Sequence, residues 1–179
     1  MKDNRMSIHQ KNAEPWTVTL VDTGESTLTG GRLKRVQEYV KDEDAFCFTY
    51  GDGVSDVNIA DLIKFHQEHG KLATLTATRP PGRYGALKIT NNSVEMFQEK
   101  PEGDGSWING GYFILSPEVI KNIDGDDSIW EQEPLKKLAK DGELMSFKHD
   151  GFWQPMDTLH EKTMLNNLWN SNNAPWKKW

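Results

Sequence analysis

A chain of 179 residues fits one domain of ordinary size, and its 36% hydrophobic residues, seven Trp and seven Phe among them, supply a core. The formal net charge of −6, with neither a basic run nor a basic helix face, argues against a general nucleic-acid or membrane-surface binder. A single cysteine excludes a disulfide within the chain, no apolar run approaches the roughly 20 residues of a membrane span, and Met1-Lys2-Asp3-Asn4-Arg5 leads into polar sequence rather than a signal segment, so a reducing, cytoplasmic setting is expected.

In chain order, Trp16 to Val21 is β-rich and ends at the turn Asp22-Thr23-Gly24. Leu33, Val36, Tyr39 and Val40 then recur at helical spacing behind Thr29-Gly30-Gly31. Ala45 to Thr49 reads as a buried strand containing Cys47 as a small hydrophobe rather than a nucleophile. Ile59 to His66 marks a second helix, with Asp56 or Asn58 as N-cap and Gly70 as its stop, and Leu72 to Thr78 is the next strand. Strand, glycine turn, helix and strand predict a parallel βαβ unit.

The second half reads as more antiparallel. Gly85 to Ile89 and Val94 to Gln98 flank Asn91-Asn92 as a hairpin, and Ile108 to Leu115 is a further strand. Ser116-Pro117-Glu118 opens a short helix through Ile120. Helices over Trp130 to Ala139 and Thr158 to Trp169 enclose a strand from Leu144 to His149, and residues 170–179 form a polar, loosely packed tail to a domain over 1–169.

The heptapeptide Tyr50-Gly51-Asp52-Gly53-Val54-Ser55-Asp56 carries the most chemistry. A carboxylate between two glycines at a strand end brings a hard-cation ligand to the carboxyl edge of a sheet, where open α/β folds bind ligands, and suits metal-bound phosphates. Asp-Gly is equally a turn pair, and Asp157, just ahead of a helix, is equally an N-cap. His66 and His69 lack a further ligand and read as a solvated helix end. Glu99-Lys100-Pro101 by itself is only a polar strand end.

The combination and order of segments resembles the sugar-1-phosphate nucleotidylyltransferases, and within them the cytidylyl-transferring branch. The resemblance rests on Glu14-Pro15-Trp16, Val21-Asp22-Thr23-Gly24, Thr29-Gly30-Gly31-Arg32-Leu33-Lys34-Arg35, Tyr50-Gly51-Asp52-Gly53, Pro80 through Leu87, Phe97-Gln98-Glu99-Lys100-Pro101, Ile108-Asn109-Gly110-Gly111, Trp130 through Leu135 and Gly151 through Thr158. It implies an α/β fold with a Rossmann-like mixed sheet flanked by helices, of the nucleotide-diphospho-sugar transferase type. Family members begin with a strand and a glycine-rich loop that holds the nucleotide triphosphate, and nothing in Met1 to Gln10 is similar to it. The chain is therefore expected to correspond to the later two thirds of such an enzyme, lacking the first βα units, and to be inactive alone.

The resemblance implies transfer of a cytidylyl group from CTP to α-D-glucose 1-phosphate, giving CDP-glucose and pyrophosphate. It assigns Asp52 and Asp157 to a Mg²⁺ ion, Thr27, Arg32 and Gly51 to the nucleotide, and Gly85, Glu99, Lys100 and Asn109 to the sugar phosphate. Lys100 would offset the charge of the attacking phosphate as a point charge and Glu99 would accept from sugar hydroxyls. Trp153 and Tyr84 pack either on the sugar or in a core or interface. The resemblance also implies a cytoplasmic homo-oligomer without nucleic-acid or membrane partners, serving deoxysugars of a bacterial surface polysaccharide such as O-antigen in lipopolysaccharide. A nucleotide-sugar glycosyltransferase and a non-catalytic binding or assembly fragment are the alternatives, the first disfavoured by the Glu99-Lys100-Pro101 plus Asp157 set.

Overall fold

The computed structural model describes residues 16–80, 86–90, 93–98 and 107–178. Its first helix, α1 (Thr29–Arg35), continues as a 3₁₀ turn over Gln37–Tyr39, and the apolar run that follows forms β1 (Phe46–Thr49). A turn at Gly51 and Asp52 leads into β2 (Gly53–Ser55), too short to leave a periodic signature in the sequence. In α2 (Ile59–His69), Asn58 is the cap: its Oδ1 accepts the backbone N–H groups of Ala60 at 3.0 Å and Asp61 at 3.3 Å, while Gly70 ends the helix at φ 63°.

β3 (Ala73–Thr78), the hairpin of β4 (Ala86–Thr90) and β5 (Ser93–Gln98), and β6 (Ile108–Leu115) follow as expected. Pro117 opens a 3₁₀ helix to Asn122, and α3 (Glu133–Lys140) starts three residues later than the sequence pattern indicated, with Pro134 in its first turn. β7 (Leu144–His149), β8 (Trp153–Pro155) and α4 (Leu159–Asn170) complete the fold. No helix among the described residues is long and apolar enough to cross a membrane.

The central sheet has the order β1-β6-β3-β7, with β6 antiparallel to both neighbours and β3 parallel to β7. β1 and β3 thus point the same way, but the expected βαβ unit is split, because β6 returns from the hairpin side and takes the ladder between them. The strand expected over Trp16 to Val21 does not form, and this segment has no regular secondary structure. Its alternating Trp16, Val18 and Leu20 stand 75%, 70% and 85% exposed, and a strand sequence without a ladder partner gains nothing from alternation.

Alternation sorts the sheet into two faces. Phe46, Phe48, Ala73, Leu75, Phe113 and Leu115 point to one side, where Leu33 of α1, Val119 and Ile120 of the 3₁₀ helix, Ile123 just after it, Trp130, and Leu135 and Leu138 of α3 close the main core. Each fully buried aliphatic or aromatic side chain there contributes about 1.5–3 kcal/mol. Thr74, Thr76, Thr78 and Ile114 face the other side, which also holds Leu62 of α2. Cys47 also lies on this second face, but on the edge strand and beyond α2's main contacts with β3, β6 and β7, so it is exposed rather than buried. Partial desolvation pushes its thiol pKa upward, away from the reactive thiolate.

The chain end is not loosely packed. Ala174 is buried, Trp176 stacks on Phe152 at 5.4 Å between ring centroids, and Lys178 Nζ lies 3.7 Å from Asp56 Oδ2.

The end of α2 also corrects the expected solvated histidines. His66 is buried, and both rings converge on Thr74 Oγ1, His66 through Nδ1 at 2.9 Å and His69 through Nε2 at 2.7 Å. The Lys71 N–H donates to His69 Nδ1 at 2.9 Å, which places the His69 proton on Nε2, donating to Thr74. The Thr74 hydroxyl is then free to donate to His66 Nδ1, and His66 Nε2 faces Ser116 Oγ at 3.4 Å. Every link in this relay uses neutral rings. Desolvation lowers both histidine pKa values, assisted at His66 by His69 and at His69 by Lys71, with Glu143 opposing at His69. The unfolded chain therefore takes up protons that the folded chain refuses as pH falls through about 6.5. Stability is full above that value and is lost towards the lowered folded pKa values. The melting temperature should fall between pH 7.5 and 5.5, less steeply in His66→Gln than in wild type; parallel profiles for the two proteins would contradict the relay.

Candidate functional site

The carboxyl ends of β1, β3 and β7 and the start of β6 lie at one edge of the central sheet, as their registers require. Asp52 sits there in an exposed turn whose flanking glycines have open space: a Cβ at Gly51 or Gly53 would meet nothing within 4 Å. The turn is held by its backbone. Tyr112 Oη donates to the Gly53 carbonyl at 2.9 Å, and the Met156 N–H donates to the Asp52 carbonyl at 2.7 Å.

That second bond prolongs the two-stranded ribbon of β2 and β8, whose register pairs Gly53 with Pro155. It delivers Asp157 next to the Asp52 turn across more than a hundred residues of sequence. The cap of α4 is Thr158, not Asp157: Thr158 Oγ1 accepts the Glu161 N–H at 3.2 Å, and Glu161 Oε2 accepts the N–H groups of Thr158 at 2.9 Å and Asp157 at 3.0 Å. The main chain of Asp157 is thereby fixed without spending its carboxylate. Among the described residues no hydrogen bond or ion pair engages the carboxylate of Asp52 or Asp157. No group of three or more potential metal ligands occurs among the described residues.

β6 is bulged where it reaches the site. Phe113 pairs with Leu75 and Asn109 with Ala77, which leaves Gly110, Gly111 and Tyr112 opposite Thr76 alone. Gly111 adopts φ 77°, and a Cβ there would stand 2.7 Å from the Tyr50 ring. The bulged carbonyls are taken by side chains: Thr49 Oγ1 donates to Gly111 O at 2.9 Å and Trp153 Nε1 to Gly110 O at 2.8 Å. Trp153 thus does structural work through its indole nitrogen. Asn109 Oδ1 accepts the Gly111 N–H at 2.9 Å, and its side chain acts on the nearby Tyr50 hydroxyl by opposing the rise of the tyrosine pKa.

The Tyr50 hydroxyl donates to Glu131 Oε1, and Glu131 Oε2 accepts from Thr29 Oγ1 at 2.9 Å. Thr29 Oγ1 in turn accepts the Trp130 N–H at 2.9 Å. Burial raises the Tyr50 pKa most, then the Glu131 carboxylate; the Asn109 bond opposes and the charge of Asp52 adds to the rise, so Tyr50 stays a neutral donor. Sequence reasoning did not single out Tyr50 or Glu131, although both lie inside motifs it used.

The segment with the nucleotide candidates is braced against the loop before α3. The N–H groups of Leu28, Gly30 and Gly31 donate to the carbonyls of Asp126 and Ser128 at 2.9–3.2 Å, and a Cβ at Gly31 would stand 2.5 Å from Asp126 O. The glycine pair is therefore a close-approach contact, and its amides are not free for an anion. Arg35 closes the joint with a bidentate bond to Asp126, which holds that carboxyl pKa below its ordinary value. Arg32 is exposed and organises the preceding loop, donating to Thr23 Oγ1 at 2.6 Å and to the Glu25 carbonyl at 3.1 Å; Thr27 is buried beside it.

The structure thus gathers Gly51, Asp52, Asn109 and Asp157 at one edge and connects them through Tyr50, Glu131 and Thr29 to the segment of Thr27 and Arg32. Gly85, Glu99, Lys100 and Tyr84 lie outside the described residues. A cleft of about 270 Å³ lined by Arg79, His149 and Trp153 opens at the same edge, with the Arg79 guanidinium 4.6 Å above the Trp107 ring centre. A larger cleft of about 430 Å³, lined by Glu43, Cys47 and His66, is at the opposite end of β1 and holds none of these groups.

Comparison with known proteins gives the family. The nucleotidyl transferase family matches residues 5–158. The chain is 64% identical to glucose-1-phosphate cytidylyltransferase of Salmonella typhimurium over 179 residues, covering all of this chain and 70% of that protein. It is 41% identical to the probable glucose-1-phosphate cytidylyltransferase of Bacillus subtilis, over 93% of this chain and 65% of that one. The crystal structure of HddC from Yersinia pseudotuberculosis superposes with a TM-score of 0.58 at 22% identity, over 78% of this chain and 61% of that one, which shows the shared fold. With a family match over most of its length and a relative this similar throughout, the chain belongs to the nucleotidyl transferase family, in its glucose-1-phosphate cytidylyltransferase branch.

Proposed function

We propose that this chain serves cytidylyl transfer from CTP to α-D-glucose 1-phosphate, giving CDP-glucose and pyrophosphate. The observation that carries the reading is the 64% identity over the whole chain to a protein named for that activity. A sugar-phosphate oxygen attacks the α-phosphorus of CTP as pyrophosphate leaves, so no protein nucleophile is needed. The task is to bring two anions together and hold them in line.

Asp52 and Asp157 fit Mg²⁺ by the chemistry of their donors: hard carboxylate oxygens, engaged by no other bond among the described residues, beside open space at Gly51 and Gly53 for phosphate oxygens and water. Such an ion supplies charge neutralisation between the reacting phosphates. Gly51 lets the nucleotide approach the main chain, Arg32 offers its remaining donors to it, and Thr27 shapes the same segment. Asn109 offers its side-chain amide to the sugar phosphate, together with Gly85, Glu99 and Lys100. The same reading places the protein in the cytoplasm as a homo-oligomer, without nucleic-acid or membrane partners, supplying CDP-glucose for deoxysugars of a surface polysaccharide.

Pyrophosphate release from CTP and glucose 1-phosphate with Mg²⁺ tests the reading, in the 179-residue chain and in a fusion carrying the part of the Salmonella relative that the match does not span. A chain of net charge −6 whose α1 amides are already bonded has few groups to hold a triphosphate. The fusion should therefore turn over and the chain alone should show no appreciable release. A fusion that folds and binds both substrates without releasing pyrophosphate would overturn the assignment, and robust release by the chain alone would relocate the triphosphate site.

A further inference from the structure

We propose that Tyr50 and Glu131 form a positioning pair that sets the metal-binding turn and joins it mechanically to the nucleotide-side segment. The inference rests on the reading of Asp52 as a metal ligand and goes beyond it, since neither Tyr50 nor Glu131 is among the residues assigned to the ion. Three observations carry it.

The first is covalent proximity with a fixed anchor: Tyr50 is two residues before Asp52, and its ring has one place to be. It packs edge-on to Phe48 at 5.8 Å and Phe113 at 5.9 Å between centroids, and it fills the space a side chain at Gly111 would take. The second is that the hydroxyl at the far end of this wedged ring donates to Glu131, a charge-assisted bond that resists rotation of the residue just after β1. The third is that Glu131 spends its other oxygen on Thr29, the first residue of α1, two residues from Thr27 and three from Arg32. One carboxylate thus joins the segment of the metal candidate Asp52 to that of the nucleotide candidates Thr27 and Arg32.

The pair governs how well the Asp52 turn is poised before an ion arrives, so its loss should weaken ion binding while leaving the fold in place. Partners that orient a ligand without touching the metal typically change metal affinity by about 10- to 100-fold. Tyr50→Phe deletes only the hydroxyl and keeps the wedged ring. Glu131→Gln keeps an acceptor for Tyr50 but removes the charge.

The test is Mn²⁺ binding, followed by electron paramagnetic resonance of free ion, to the 179-residue chain in wild type, Tyr50→Phe, Glu131→Gln and Asp52→Asn, with melting temperatures alongside. Tyr50→Phe should bind Mn²⁺ about tenfold more weakly at an unchanged melting temperature, with Glu131→Gln intermediate. If Asp52→Asn loses Mn²⁺ but the other two variants match wild type, the positioning role is wrong and the metal assignment stands. If Asp52→Asn binds like wild type, or the wild-type chain shows no saturable Mn²⁺ binding, the metal assignment falls and the positioning role with it. A weaker affinity in Tyr50→Phe accompanied by a matching loss of melting temperature would reduce the pair to a stabilising contact.

Discussion

Asp52→Asn is expected to lower cytidylyl transfer by about three orders of magnitude or more in the completed enzyme, while moving the melting temperature by about 2 °C or less. The two halves of this expectation have separate physical grounds. The carboxylate is exposed, and among the described residues it holds no hydrogen bond or ion pair, so the fold does not lean on it. Asparagine has the same size and is at home in turns, and surface changes of this kind cost within about 0.5 kcal/mol. The turn itself is held through the carbonyls of Asp52 and Gly53, which the substitution keeps. The chemistry differs. A neutral amide replaces one of two anionic donors for a hard cation, and several kcal/mol of charge stabilisation correspond to roughly a thousandfold in rate. Steady-state turnover at saturating Mg²⁺, beside a thermal melt, checks both. Turnover within tenfold of wild type would move the metal role away from Asp52.

Trp130→Ala is expected to cost about 4 kcal/mol of folding stability, a large share of the roughly 5–15 kcal/mol that a domain has. Trp130 is fully buried, and its ring meets Phe48 at 6.1 Å and Phe113 at 6.0 Å, both nearly edge-on. These two phenylalanines belong to β1 and β6, while Trp130 leads into α3, so one side chain closes the sheet face against the helical layer. An alanine there leaves a void the size of an indole, with rings on the sheet side that lose dispersion contacts. The Trp130 backbone N–H would still reach Thr29, so the loss is of packing, not of the hydrogen-bonded relay. Urea unfolding should show a lower midpoint at an unchanged slope. A midpoint within about 1 kcal/mol of wild type would mean that the neighbours collapse into the space.

The elements most legible in the sequence are those whose signals are local. β6 and β7 run over the residues their alternation indicates, and α2 and α4 start and stop at Asn58, Gly70 and Thr158 because caps are chemistry of one or two side chains. What was not legible depends on partners distant in sequence. β2 and β8 are three residues each and exist only because they pair with one another. Trp16 to Val21 has strand composition and no ladder, Cys47 sits on the uncovered face of an edge strand, and His66 is buried because Thr74 and Ser116 satisfy it. β6 parts β1 from β3, a matter of topology that period cannot reveal. For the site, glycine-flanked Asp52 and helix-preceding Asp157 each had a dull local explanation. Asp52 does sit in a turn, whereas Thr158 takes the cap that would have explained Asp157. Tyr50 and Glu131 escaped notice because a tyrosine and a glutamate 81 residues apart carry no joint signal until the fold brings them together.

The ribbon of β2 and β8 has a kinetic consequence. Pairing Gly53 with Pro155 closes a loop of roughly 100 residues, whose entropy must be lost before three short rungs repay it. So small a ladder cannot lead folding; it zips only after the central sheet has already brought both its ends to one edge. Asp52 and Asp157 become neighbours only when that ribbon forms, so on the proposed metal assignment capture of an ion by both carboxylates would report completion of the molecule rather than collapse of its core.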